Sequence, residues 1–175
     1  MTEMGRSTGS RDRPVPLIML VGIPGSGKST WAGAYLRDHP AHYLVSTDQI
    51  RAELYGDEAI QGDWRQVWRQ VVSRWRLGID GIHRGVCAGV VYDATNARRR
   101  HRRQAISAAR ALGFNCLTLV WVDAPLGVCL RRNRLRSRQV PPEAIVKMHR
   151  QLRGAPPSLA EGVDQIIRIT PAETD

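Results

Sequence analysis

Gly22-Ile-Pro-Gly-Ser-Gly-Lys-Ser-Thr30 fills every fixed position of the phosphate-loop spacing G-x-x-x-x-G-K-[ST]. Its flanks constrain the fold further. The apolar run Leu17-Ile-Met-Leu-Val21 reads as a buried strand, and Thr30-Trp-Ala-Gly-Ala-Tyr-Leu36 has helical spacing. A glycine turn between strand and helix aims backbone N–H groups and a helix N-terminus at one point, which suits a polyphosphate. Gly22, Gly25 and Gly27 keep Cβ atoms out of the way of such an anion. Lys28 is expected to reach the β- and γ-phosphates, and the Ser29 hydroxyl to ligand Mg²⁺. Gly22, Pro24, Gly25, Ser26, Gly27, Lys28, Ser29 and Thr30 are therefore candidates for holding a nucleoside triphosphate.

At 175 residues the chain has the length of one domain and can bury a core without staples. Residues 1–13 are polar and lack an apolar stretch, so they read as a disordered tail without a secretory signal, ahead of a single domain over 14–175. The longest apolar run, Pro14 to Val21, is far shorter than the ~18 residues of a membrane span. A cytoplasmic location and no membrane partner are expected. Cys87, Cys116 and Cys129 are odd in number and widely spaced, which suggests buried inert thiols rather than a disulfide or zinc framework. The formal charge of +10 favours anionic partners. Arg supplies 24 of the 26 basic residues, a preference that a GC-rich genome would explain. Base composition does not explain the clusters at Arg98–Arg103 and Arg131–Arg138, each holding five arginines.

Strand and helix alternate along the chain, which predicts a parallel sheet of about five strands covered on both faces. Expected strands run Pro16–Val21, His42–Val45, Val86–Tyr92, Asn115–Val122 and Asp164–Ile169. Helices are expected over Lys28–Asp38, over Thr47–Tyr55 with a Ser46/Gln49 capping box, and from Asp63 to about Ile82. A further helix is expected over Ala97–Leu112 with Asn96 as N-cap and Gly113 beyond its end. Pro125 opens a helix whose apolar residues crowd into its first half, so its arginine-rich end should enter solvent as a lid, over about 125–152. Pro141-Pro142 restart the chain as a helix carrying Ile145, Met148 and Leu152 on one face.

Beyond the phosphate loop, four features narrow the chemistry. Asp48-Gln-Ile-Arg51 places an acid and an arginine on one helical face. Asp93 ends the third strand, where a Walker-B acid would hold Mg²⁺ directly or through water, and Asp123 ends the next strand and competes for that role. Arg131-Arg-Asn-Arg-Leu-Arg-Ser-Arg138 precedes Val140-Pro141. Together with GxPGSGKST, these features resemble the 5′-hydroxyl polynucleotide kinases and their wider P-loop phosphotransferase relatives, over about Leu17 to Ile169.

The resemblance implies a P-loop three-layer α/β sandwich with a helical, Arg-rich lid. It implies ATP and Mg²⁺ as cofactors, Asp48 as general base, and Arg51 as the contact to the phosphate beside the accepting nucleoside. It favours Asp93 over Asp123 as the metal acid, leaving Asp123 to cap the lid helix. Arg132, Asn133 and Arg136 match the family's Arg-Asn-x-x-Arg lid element, with Arg132 on the donor and Arg136 closing over the transferring group. The run is about one residue shorter before Val140 than in some relatives, so Arg134 could replace either arginine. A guanidinium fork suits bidentate phosphate contact.

Two motifs keep two readings each. Arg98–Arg103 could be a phosphodiester-binding rim or an exposed basic face. Trp64, Trp68 and Trp75 could stack on bases, but with Val67, Val71 and Val72 between them they fit core or interface better. The histidines show no metal or triad spacing. The expected activity is transfer of ATP's γ-phosphate to a hydroxyl acceptor, first the 5′-OH of RNA or DNA, second a small molecule such as a sugar, nucleoside, antibiotic or nucleotide-sugar. A non-catalytic ATP-binding regulatory module is the third reading. With no repair domain beside it, any repair pathway is expected to use separate chains; the oligomeric state is open.

Overall fold

The computed structural model describes residues 13–171, so the expected tail lies outside the described residues save for Arg13. Five strands form the sheet: β1 (Pro16–Val21), β2 (His42–Ser46), β3 (Gly89–Asp93), β4 (Cys116–Val122) and β5 (Gln165–Ile169). All pairings are parallel and the order is β2-β3-β1-β4-β5. From β1 the chain passes to the edge strand β2, returns to β3 beside β1, and then crosses to β4 and β5 on the other side. The carboxyl end of β1 is thus a switch point, where open α/β sheets leave a crevice for ligands.

The helices are α1 (Lys28–Asp38), α2 (Thr47–Tyr55), α3 (Trp64–His83), α4 (Arg99–Leu112), α5 (Leu126–Arg134) and α6 (Pro142–Gly154). Alternation along β1 sorts them into layers. Leu20 faces Ala32 of α1 together with Val91, Val120 and Val122. Leu17, Met19 and Val21 face the opposite layer, packed with Val67, Val71 and Trp75 of α3, Ile106 and Ala109 of α4, and Ile145 of α6. Each such fully buried aliphatic side chain contributes about 1.5–3 kcal/mol. Helix α3 approaches the sheet most closely at Gly78, where a Cβ would collide with the Val90 side chain. No described helix is long and apolar enough to cross a membrane.

Several elements depart from expectation. β3 begins at Gly89, and Val86, after a left-handed turn at Gly85 (φ +76°), lies outside it and 72% exposed. α4 begins at Arg99, and Asn96 does not cap it. Instead Asn96 sits left-handed (φ 48°) and its Nδ2 donates to the Leu20 carbonyl at 2.8 Å, tying the end of β3 to β1. A short 3-10 turn at Leu159–Glu161, closed by a Ser158/Glu161 capping box, was not expected. Cys129 is buried and Cys87 partly so, but Cys116 is exposed and does not fit the buried-thiol expectation.

The tryptophans divide. Trp75 is fully buried and meets Tyr92 and Phe114 edge-on at 5.1 and 5.9 Å. Trp64 is 49% exposed, so the stripe leaves the core at its N-terminal end. The first arginine cluster divides too. Arg102 is fully buried, donating from Nε and Nη2 to the two carboxylate oxygens of Glu161 at 2.7 Å each. Its remaining donors reach the carbonyls of Asn96 at 3.0 Å and Ala155 at 2.9 Å. A buried arginine with every donor satisfied belongs to the framework.

Candidate active site

The phosphate loop leaves β1 at its switch point and enters α1 through Gly27, which is left-handed (φ +100°) at the N-cap. Gly25 is also left-handed (φ +81°), and a Cβ there would collide with the Cys129 carbonyl of α5. The loop is thus seated against α5. Gly22 stands behind the loop, where a Cβ would lie 2.7 Å from Ser26 Oγ and 2.8 Å from the Val122 carbonyl. Lys28 is 9% exposed, and its Nζ donates to the Ile23 carbonyl at 3.2 Å. Burial pushes this ammonium below the usual lysine range, opposed by the carboxylates of Asp93 and Asp48. A polyphosphate would supply the negative charge that such a desolvated cation lacks.

Ser29, on the first turn of α1, donates from Oγ to Asp93 Oδ2 at 2.8 Å. Asp93 reaches this point because β3 lies beside β1. Its neighbour Ser46 leads directly into α2, accepting from the Gln49 N–H at 3.4 Å as the expected cap. Asp48 and Arg51 share one face of α2, with Arg51 Nη1 3.0 Å from Asp48 Oδ1. Arg138, from the segment after α5, sets its Nη1 3.2 Å from Asp48 Oδ2 and 3.5 Å from Glu58. That segment is pinned by the buried Asn133, whose Oδ1 accepts from the Val140 N–H at 2.9 Å and whose Nδ2 donates to the Val140 carbonyl at 2.8 Å.

These elements enclose a cleft of about 770 Å³. Pro24 through Thr30, Asp48, Arg51, Asp93, Arg132 and Arg136 all line it. Of the phosphate-loop candidates, Gly22 alone stands off its wall. Arg138 also lines the cleft, whereas Arg134 is exposed and lies outside it. Asp123 neither caps α5, whose N-cap is Pro125, nor meets the cleft. It is held by Arg168 Nε of β5 at 3.0 Å and by Arg153 at 3.6 Å. Sequence spacing marked Asn133 only as part of a lid pattern and left Arg138 unassigned; neither role has a periodic signal, because both depend on how the loop folds back.

The residues present fit a triphosphate with Mg²⁺. Ser26 Oγ is fully buried and lacks a hydrogen-bond partner, as expected of a loop hydroxyl awaiting an anion. The Ser29 hydroxyl and Asp93 carboxylate are hard oxygen donors. They suit an ion that takes one or two protein ligands and completes its shell with water and phosphate oxygens.

A parallel sheet with a phosphate loop at its switch point, an acid at the end of the adjacent strand and an arginine-bearing segment across the cleft defines a P-loop kinase-type domain. Residues 17–155 match the AAA domain family, and the chain belongs to it. It is 27% identical over 139 residues to the L-seryl-tRNA(Sec) kinase of Methanococcus maripaludis, a match covering 76% of this chain and 51% of that protein. Among solved structures it is similar to a chain of the Pnkp1/Rnl/Hen1 RNA repair complex, with a TM-score of 0.67 at 20% identity, over 85% of this chain and 47% of that one. The tunicamycin resistance protein of Deinococcus radiodurans superposes with a TM-score of 0.58 at 18% identity, over 87% and 86% of the two chains. The chain spans about half the length of the first two.

Proposed function

We propose that this chain transfers the γ-phosphate of ATP to a hydroxyl group, and that the acceptor is the 5′-OH end of RNA or DNA. The observation that carries the transfer is the convergence of Lys28, Ser29, Asp93 and Asp48 on one cleft. A binding module needs the first three; it has no use for a carboxylate facing the phosphate loop.

Loop amides and Lys28 bind the donor phosphates, and the closely packed Gly25 fixes the loop against α5. Mg²⁺, held by Ser29 with Asp93 behind it, would neutralise charge on the phosphate oxygens. Asp48 orients the acceptor hydroxyl and takes its proton as the new P–O bond forms, a contribution of typically 10²–10⁴ in rate. Arg132 and Arg136 face the same cleft from the lid and stabilise charge on the transferring group. Residues 14–175 act as one kinase domain with 125–152 as its lid.

The choice of a nucleic-acid acceptor is supported by the resemblance to polynucleotide kinases, by Arg51 and the exposed arginines of the two clusters, and by a relative named as an L-seryl-tRNA(Sec) kinase. The cleft's volume, within the usual range for small-molecule sites, favours the second reading, a small hydroxyl substrate. Incubation with γ-labelled ATP and Mg²⁺ separates them, offering 5′-OH oligonucleotides beside sugars and nucleosides. The proposal expects label on the oligonucleotide. Label on a sugar alone would overturn the acceptor, and label on nothing would overturn the transfer. Oligonucleotide binding should weaken steeply from low to moderate salt, and sugar binding should not.

A further inference from the structure

Beyond Arg51 the cleft opens into a second cavity of about 690 Å³, reached through Thr47, Arg51 and Gln61, which line both. Its walls are unlike the first. On one side stand the indoles of Trp64 and Trp68, stacked with centroids 6.0 Å apart and planes 28° from parallel. α4 and its entry residue line the same cavity with Arg98, His101 and Gln104. Two guanidinium groups line this cavity and no carboxylate does.

The tryptophan wall is held in place. Trp68 packs edge-on against the buried Trp75 at 5.5 Å. Asp63, which caps the helix just before Trp64, donates its N–H to Tyr55 Oη at 3.0 Å, and that hydroxyl donates back to the Asp63 carbonyl at 3.3 Å. A Cβ on Gly62 would collide with the same Tyr55 ring. Trp64 is therefore an exposed ring on a fixed base, where exposure costs hydrophobic free energy unless something covers it. Arg51, only 13% exposed, has a buried Nε without a hydrogen-bond partner. His101 stands at the exposed edge of this wall, where partial desolvation and the neighbouring Arg98 and Arg100 hold it below the usual histidine range.

We propose that this second cavity seats the terminal nucleoside of a single-stranded acceptor, its base stacked on Trp64, with Arg98 adding a second cation to the 3′-phosphate contact that the polynucleotide kinase resemblance gives Arg51. A planar ring suits the indole wall, because stacking is available to every base. An anion suits the two cations. His101 and Gln104 line the same cavity from α4 and give the slot a means of preferring one base over another. Arg51 joins slot to cleft, so a nucleoside placed here has its sugar beside Asp48. The inference rests on the acceptor reading above and deepens it: the acceptor is a nucleotide end with a single-stranded first residue.

The test uses the full chain without ATP and reads its tryptophan fluorescence. Titration with a 5′-OH nucleoside 3′-monophosphate is expected to quench the signal, and Trp64→Ala to remove most of the change. In the transfer assay Trp64→Ala should raise the KM for a 5′-OH oligonucleotide on the order of tenfold, the loss of one base stack, with the ATP KM unmoved. Trp64→Phe should restore it. Arg98→Ala should weaken the 3′-monophosphate but not the free nucleoside. Arg98 makes no side-chain cap bond to α4, so this second variant spares the fold. Oligonucleotide labelling with an unchanged KM in Trp64→Ala would overturn the slot and leave the kinase reading standing. Quenching by the nucleotide without label on any oligonucleotide would support the slot and overturn the acceptor reading.

Discussion

Arg138 and Asp48 face each other across the cleft, the guanidinium Nη1 3.2 Å from carboxylate Oδ2. Arg51 Nη1 engages the other carboxylate oxygen at 3.0 Å. Both oxygens of the proposed base are therefore occupied by cations, one from its own helix and one from the lid. Each oxygen keeps a further lone pair and the side chain is 47% exposed, so an acceptor hydroxyl can reach the carboxylate with both cations in place. Arg138 also lies 3.5 Å from Glu58, which gives it a second carboxylate on the same side of the cleft.

Asp48→Asn keeps the shape of the side chain and removes its ability to take a proton. The expected result is a fall in kcat of roughly 10²–10⁴ with ATP affinity retained, measured by single-turnover transfer beside nucleotide binding. Undiminished turnover would remove Asp48 as the base.

Asp93→Asn leaves a partner for Ser29 Oγ but weakens the hard-oxygen pair behind it. The Mg²⁺ concentration for half-maximal transfer should rise on the order of ten- to a hundred-fold. A magnesium titration of labelled product checks this, and an unshifted curve would place the metal elsewhere.

Lys28→Met should abolish transfer and yet raise the Tm of the ligand-free protein at pH 7. Burial lowers the folded-state pKa of Lys28 below its usual 10.5, so the unfolded chain binds a proton that the native chain holds poorly. Between the lowered value and 10.5, rising pH removes that disadvantage and stabilises the wild type. The Tm gap between variant and wild type should then narrow as pH rises toward 10.5, as melts across that range in a phosphate-free buffer would show. A gap independent of pH would mean that Lys28 is not strained by its burial.

Arg102→Met or Glu161→Leu alone strands one member of a fully buried ion pair, at about 3–5 kcal/mol. Replacing both, Arg102→Met with Glu161→Leu, should cost less than either single change. Urea unfolding of the three variants decides this. Additive losses would show that the two side chains act independently.

Much of this architecture was legible because its signals are local. The Gly22–Thr30 spacing, the Ser46 cap and Gly56 or Gly113 beyond a helix depend on a few neighbouring residues, and each lies where the spacing placed it. What misled was tertiary. Val86 and Cys87 extend an apolar run, but nothing local says that the sheet ends at Gly89. Asn96 has a capping residue's chemistry, yet its side chain turns to the Leu20 carbonyl on another strand. Arg102 looks the same as its four neighbours in the cluster until Glu161 is brought beneath it. In the cleft, the residues of the loop, α2 and the end of β3 could be named from sequence, since a motif marks each. Which lid arginine turns inward could not, because Asn133 sets that by folding the chain back onto Val140.

The seating of Gly25 against Cys129 and the grip of Arg102 on Ala155 fasten the arginine-bearing span at two piers. One pier stands on the phosphate loop itself, the other on the framework beneath α4. Between them the span is tied once more, by the two hydrogen bonds that join Asn133 to Val140. The helix on which the loop rests is the one that carries Arg132 to the cleft wall, so the floor of the cleft and part of its roof share one foundation.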